Sequence, residues 1–138
     1  MNHNLSFQRL HEYDLGKPGI SVPLVLQAGS AKTAVNAYVD TGSANCFFSR
    51  AVGEQLDLAI ETGTPKKYTT AGGFDKGFGH FVTLETLGLC YDAMIFFAAD
   101  MAFQRNLLGR IGWLDRIQMG LIDYEGKLFL NDYESERI

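Results

Sequence analysis

Cysteine, histidine and proline are scarce in this sequence of 138 residues, which holds two, three and three of them. Cys46 and Cys90 cannot form a disulfide framework. His3, His11 and His80 are scattered, with no His-x-x-x-His and no Cys-x-x-Cys, so neither a metal nor a cofactor is expected. Long apolar runs are missing too: none approaches the roughly 20 residues of a transmembrane helix, so no membrane span is expected. Met1 to Leu15 is polar, mixed in charge and without a signal-peptide core, which makes the cytoplasm the expected location. Positive charge is not in surplus. The balance of 12 Lys+Arg against 16 Asp+Glu gives −4, which argues against a nucleic-acid partner.

What is present fits a globular protein of one domain. The hydrophobic fraction is 46% and the charged fraction 20%. Fifteen glycines, ten phenylalanines and six tyrosines suggest short strands joined by tight turns. Residues 1–19 read as an arm with a short strand near Leu5–Leu10. Ile20 to Gln27 and Thr33 to Val39 read as paired strands, and Pro23 argues for an edge position. Ser49 to Leu58 reads as a short helix with Ser49 at its N-cap and Gly53 weakening it.

Lys66 to Thr70 and Phe78 to Thr86 form a hairpin around the glycine-rich stretch 71–77. Leu89 to Phe97 is a further strand. Arg110 to Ile117 reads as a second short helix, and Gln118 to Asp123 with Lys127 to Leu130 as a closing hairpin. Residues 131–138 read as a polar tail. The glycines of 72–79 fit no phosphate loop, because Phe78 and Gly79 stand where Lys and Ser/Thr are needed.

The chemically informative stretch is Asp40-Thr41-Gly42-Ser43, directly after an apolar strand. Asp and Gly are common turn residues, so the tetrapeptide alone fits a plain β-turn. Its setting is more specific. Cys46-Phe47-Phe48-Ser49 and a helix follow it, then the glycine-tipped hairpin, then Asn106-Leu107-Leu108-Gly109-Arg110. This order resembles the retropepsin-like aspartic protease family over about residues 20–130. Thr70-Ala71-Gly72-Gly73 and the run Leu121 to Leu128 look like its single-domain bacterial branch.

The resemblance implies a mainly β fold, a closed barrel or sandwich with a flap hairpin and one or two short helices. It implies Asp40 as the catalytic carboxylate, with Thr41 locking the turn to a partner's turn and Gly42 keeping the backbone close. Ser43 is expected to donate a hydrogen bond to the carboxylate and shift activity towards acid. Ala71, Gly72, Gly73 and Phe74 would form the flap over substrate, and Leu107, Leu108, Gly109 and Arg110 the scaffold beneath the site.

Retroviral members often pair the Arg after this Gly with an Asp. Here Ala44 stands at that place, so the salt bridge of Arg110 is expected to be missing or rerouted. Phe47, Phe48, Ile95 and Phe97 suggest apolar substrate pockets.

This chemistry needs two carboxylates at one water, and 138 residues cannot hold two such lobes. Glu61-Thr62-Gly63 is a faint echo without the apolar setting. The implied protein is therefore a homodimeric endopeptidase acting on extended peptides. The alternative is a catalytically silent dimerisation or peptide-binding module on the same fold.

Overall fold

Two-residue alternation organises most of the chain. Along Ser21–Ala28 (β2), Val22, Leu24 and Leu26 point inward while Pro23 is exposed. β2 turns through Gly29-Ser30 into Ala31–Val39 (β3), with Ala28 opposite Ala31. Gly29 has φ 58°, which a two-residue hairpin turn requires and glycine adopts without strain. The computed structural model describes residues 1–70 and 73–133, with 70, 73 and 74 described through their backbone alone.

The remaining elements follow in order. Arg9–Glu12 (β1) precedes β2. After β3 come Cys46–Phe48 (β4), the helix Arg50–Gln55 (α1), Thr64–Thr70 (β5), Gly73–Thr86 (β6) and Leu89–Ala98 (β7). Leu107–Leu108 (β8), Ile117–Ile122 (β9) and Lys127–Asp132 (β10) complete the chain. Seven strands run in the order β2-β3-β8-β4-β7-β6-β5, and β2 also pairs with β6, which closes six of them into a barrel. β5 lies outside that closure, joined to β6 from Thr64↔Gly79 to Thr70↔Gly73 as a long hairpin. A separate sheet has the order β1-β10-β9.

The fold is thus mainly β, a closed barrel with one short α-helix, consistent with the retropepsin-like expectation. Inside lie Phe48, Phe97, Ile95, Leu26, Leu84 and Trp113, all fully buried. Each such side chain is worth roughly 1.5–3 kcal/mol of burial. Gly53 is a packing requirement rather than a weak point of α1. A Cβ there would stand 3.0 Å from both Ile60 Cδ1 and the Phe97 ring. Ser49 occupies the N-cap, but its side chain makes no capping bond; instead its N–H donates to Asn106 Oδ1 at 3.0 Å.

Several local expectations shift. Pro23 sits on a strand with neighbours on both sides, yet β6 pairs only with Val25–Gln27, so no second ladder reaches it. The N-terminal strand falls at Arg9–Glu12, later than Leu5–Leu10, because its partner is β10. The second helix shrinks to one 3-10 turn, Leu114–Arg116, since Gly112 at φ 107° breaks any helical path from Arg110. The hairpin strand begins at Gly73 rather than Phe78, which lengthens the hairpin; residues 71 and 72 lie outside the described residues. The closing strand runs on to Asp132, and Asn131 is fully buried.

Asn131 ties the N-terminal segment down: its Oδ1 accepts from Gln8 N–H at 2.6 Å and its Nδ2 donates to Ser6 O at 2.5 Å. Replacing Asn131 by Ala leaves these backbone groups without that partner. The expected loss is about 1–3 kcal/mol in urea denaturation, with faster proteolysis at residues 1–8. Unchanged stability and unchanged cleavage would show that the arm is held otherwise.

Candidate active site

The turn that carries Asp40 is closed by its own four residues and braced by neighbours in space. Within the turn, Ser43 N–H donates to Asp40 O at 3.2 Å, the closure of a β-turn. Around it, β8 lies between β3, to which it is parallel, and β4, to which it is antiparallel. Asp40 N–H donates to Leu108 O at 2.9 Å. In return, Arg110 N–H donates to Ser43 O and Ile111 N–H to Ala44 O, each at 2.9 Å. The two segments are cross-braced on both sides of the carboxylate.

Gly109 is obligatory in this brace. A Cβ there would stand 2.1 Å from Asn45 O and 2.6 Å from Ser43 O, both backbone atoms that cannot step aside. Gly42 is less constrained, since its Cβ would meet Asp40 Oδ1 at 3.3 Å. Its N–H donates to that same Oδ1 at 2.9 Å and so orients the carboxylate. Ser43 does not do so: its Oγ donates to Asn45 O at 2.7 Å. The expected Ser43 bond to the carboxylate is therefore replaced by the Gly42 amide, because the hydroxyl closes the next turn of backbone.

The family profile for aspartyl proteases matches residues 25–111, from β2 through the brace at Ile111, more than half of the chain. The chain belongs to the aspartyl protease family. Its type is retropepsin-like. No curated protein matches the chain significantly.

In this aspartyl protease domain Asp40 is half-buried and borders a cleft of about 430 Å³, with Asn45, Phe47, Lys66, Tyr68 and Phe103 among its walls. Lys66 Nζ donates to Asn45 Oδ1 and lies over the Phe96 ring. The Phe47 and Tyr68 rings pack tilted by 40° with centroids 3.8 Å apart, and Phe103 meets Tyr68 edge-on at 5.9 Å. The Tyr68 hydroxyl is buried and has no hydrogen-bond partner among the described residues. Burial first, and then the charge of Asp75, push that phenol up to about 12. A groove of about 410 Å³ between Pro23 and Leu87 is comparable in size but touches no residue of the Asp40 turn.

The expected site residues divide clearly. Asp40, Thr41, Gly42, Ser43, Leu107, Leu108, Gly109 and Arg110 come together in the brace. Thr41 and Gly42 are exposed at its crest. Arg110 is also exposed and makes no ion pair among the described residues. Gly73 and Phe74 lie in β6 opposite Thr70 and Thr69, and Ala71 and Gly72 fall outside the described residues. Of the four apolar residues expected near the site, Phe47 lines the cleft. Phe48, Ile95 and Phe97 are barrel core, fully buried. Glu61 is bound to Arg50 at 2.6 Å, which holds its carboxyl below the usual range. It is part of a surface ion pair, far from any echo of Asp40's setting.

Lys66, Tyr68, Phe103 and Arg105 were not expected in the site. Two-residue spacing on β5 places Lys66 and Tyr68 on one face, and that periodicity is the signal that finds them. Among the described residues no cluster of three or more His, Cys, Asp or Glu is placed to hold a metal ion. No described helix is long and apolar enough to cross a membrane.

Cys46 lies directly under the brace. Its Sγ accepts from Gly109 N–H at 3.4 Å and faces Ile111 O at 3.6 Å. Burial pushes its thiol up to about 11, outweighing the Gly109 bond, which acts the other way. The fold thus favours the neutral thiol. That contribution is complete below the ordinary pKa of 9.0 and is lost as pH rises through 11. Stability measured by denaturation should fall between pH 9 and 11 more steeply in the wild type than in Cys46→Ala. At pH 8 a thiol reagent should titrate the exposed Cys90 and spare Cys46. Equal pH slopes, or two fast thiols, would contradict this assignment.

Proposed function

We propose that the domain is an aspartic endopeptidase active as a homodimer, with Asp40 of each chain contributing one carboxylate to a shared site. The observation that carries this reading is the state of Asp40. It borders a cleft, one oxygen is fixed by the Gly42 amide, and no cation among the described residues pairs with it. One carboxylate alone does not supply both the base and the acid of this hydrolysis. Two of them across a two-fold axis share one proton, because like charges in contact do not both ionise readily.

The ionised carboxylate takes a proton from a water as the water oxygen attacks the peptide carbonyl. The protonated one donates to the carbonyl oxygen, which becomes a hydroxyl of the tetrahedral intermediate. Collapse breaks the C–N bond, and a proton passes to the leaving nitrogen. The products are a carboxylic acid and an amine. The pair titrates as a unit, so no pKa belongs to one Asp40 alone.

The crest of the turn supports the dimer reading, since exposed Thr41 and Gly42 are where a partner's turn would meet it. In the resemblance the Thr41 hydroxyl locks the two turns together. The resemblance assigns Ala71, Gly72, Gly73 and Phe74 to a flap whose backbone would pair with an extended peptide. Tyr68 and Phe47 provide the apolar floor beneath such a peptide.

Incubating the protein and its Asp40→Asn variant with a diverse peptide library from pH 3 to 8 tests the reading. Wild type should cleave, and the variant should be slower by about 10²–10⁴-fold while retaining its fold by circular dichroism. Equal cleavage by both proteins would remove Asp40 from the chemistry. Peptide binding without cleavage by either would favour the silent module.

A further inference from the structure

Arg105 occupies a singular place beside the site. It lines the cleft that holds Asp40, Phe47 and Tyr68, and it also lines a second cavity of about 430 Å³ bordered by Pro18, Tyr38 and Asp40. Asp40, Arg105 and Leu107 are the residues common to both spaces. The guanidinium is exposed. Among the described residues it makes no ion pair and stacks on no ring. The other cation of the cleft, Lys66, is already engaged by Asn45 Oδ1 and the Phe96 ring.

The backbone that carries Arg105 is fixed. Next to it, Asn106 O accepts from Tyr38 N–H at 2.9 Å, its Oδ1 accepts from Ser49 N–H, and its Nδ2 donates to Asn36 O at 3.3 Å. Two residues earlier, Phe103 packs edge-on to Tyr68. An unpaired guanidinium is therefore held on a rigid segment at the mouth of both cavities flanking the carboxylate. Such a planar donor fork matches a carboxylate in geometry and charge.

We infer that Arg105 is a specificity-determining residue that selects peptides carrying an Asp or Glu side chain beside the scissile bond. Apolar neighbours of that acid would rest on Phe47, Tyr68 and Phe103. This inference rests on the protease reading above. In a two-fold dimer each half of the site presents one Arg105, so an acid on either side of the bond finds a partner.

The test uses peptide series that differ only in Glu, Gln or Lys at positions flanking an apolar pair, assayed with wild type, Arg105→Gln, Arg105→Lys and Arg105→Glu. Cleavage and binding of reduced-amide analogues are both measured, so that selectivity is read even without turnover. Wild type should favour Glu over Gln by about three- to tenfold, mainly in KM or Kd, with the preference shrinking at high salt. The ratio should approach one in Arg105→Gln, be partly kept in Arg105→Lys, and invert towards Lys peptides in Arg105→Glu.

A wild-type ratio near one, or a ratio unchanged in Arg105→Gln, would overturn the inference while leaving peptide hydrolysis intact. Selective binding without cleavage would support the inference and count against the protease reading. Absence of both binding and cleavage across the series would overturn both.

Discussion

The Asp40 turn depends on a two-residue strand. Leu107 and Leu108 run between β3 and β4, and their backbone accepts the Asp40 amide on one side. On the other side Arg110 and Ile111 return hydrogen bonds to Ser43 and Ala44. This exchange holds only if the two backbones come within contact distance, which is why no Cβ fits at Gly109. Leu108 and Cys46, both fully buried, anchor the brace to the barrel interior. A carboxylate on an unsupported turn would sample many orientations. Here the Gly42 amide sets its direction, and strands far apart in sequence hold the turn's backbone.

The same geometry leaves the crest of the turn facing outward. Residues 45–49 are buried while Thr41, Gly42 and Ala44 are exposed. The sequence carries one Asp-Thr-Gly, and its faint echo at Glu61 is committed to Arg50. Dyad chemistry needs a second carboxylate at the same water, and in the proposed dimer a second copy of the turn would supply it. Such an association would have to offset an estimated 4–15 kcal/mol of lost freedom. Ala44 offers no charge to Arg110, so in the proposed dimer the Arg–carboxylate contact of retroviral members would be replaced by others.

Much of the barrel was legible because alternation and turn chemistry act locally. The β2–β3 hairpin, the β6–β7 pair and the closing hairpin can be read from apolar residues two apart and glycine at the turns. The brace was legible through Asp40-Thr41-Gly42 and Leu107-Leu108-Gly109, residues whose spacing means little without the resemblance that links them. What sequence reading missed was decided by tertiary contact. Gly112 at φ 107° halted the helix expected over Arg110 to Ile117. Asn131, polar and near the end of the chain, reads as tail but is buried by its bonds to Ser6 and Gln8. Ser43 follows Asp40 closely in sequence, which suggested it as the donor, yet its hydroxyl goes to the carbonyl of Asn45. Arg105 was passed over because no motif includes it; only the two cavities give it a place.

The central claim is that one chain supplies half of a working site. Subunit mixing tests it most directly. Wild type and Asp40→Asn are co-refolded in varying ratios at constant total protein, and cleavage of one library-derived peptide is measured. If each site needs both carboxylates, activity falls as the square of the wild-type fraction, to roughly one quarter at equal parts. A linear fall, with half the activity left at equal parts, would mean that each chain works alone and would contradict the account.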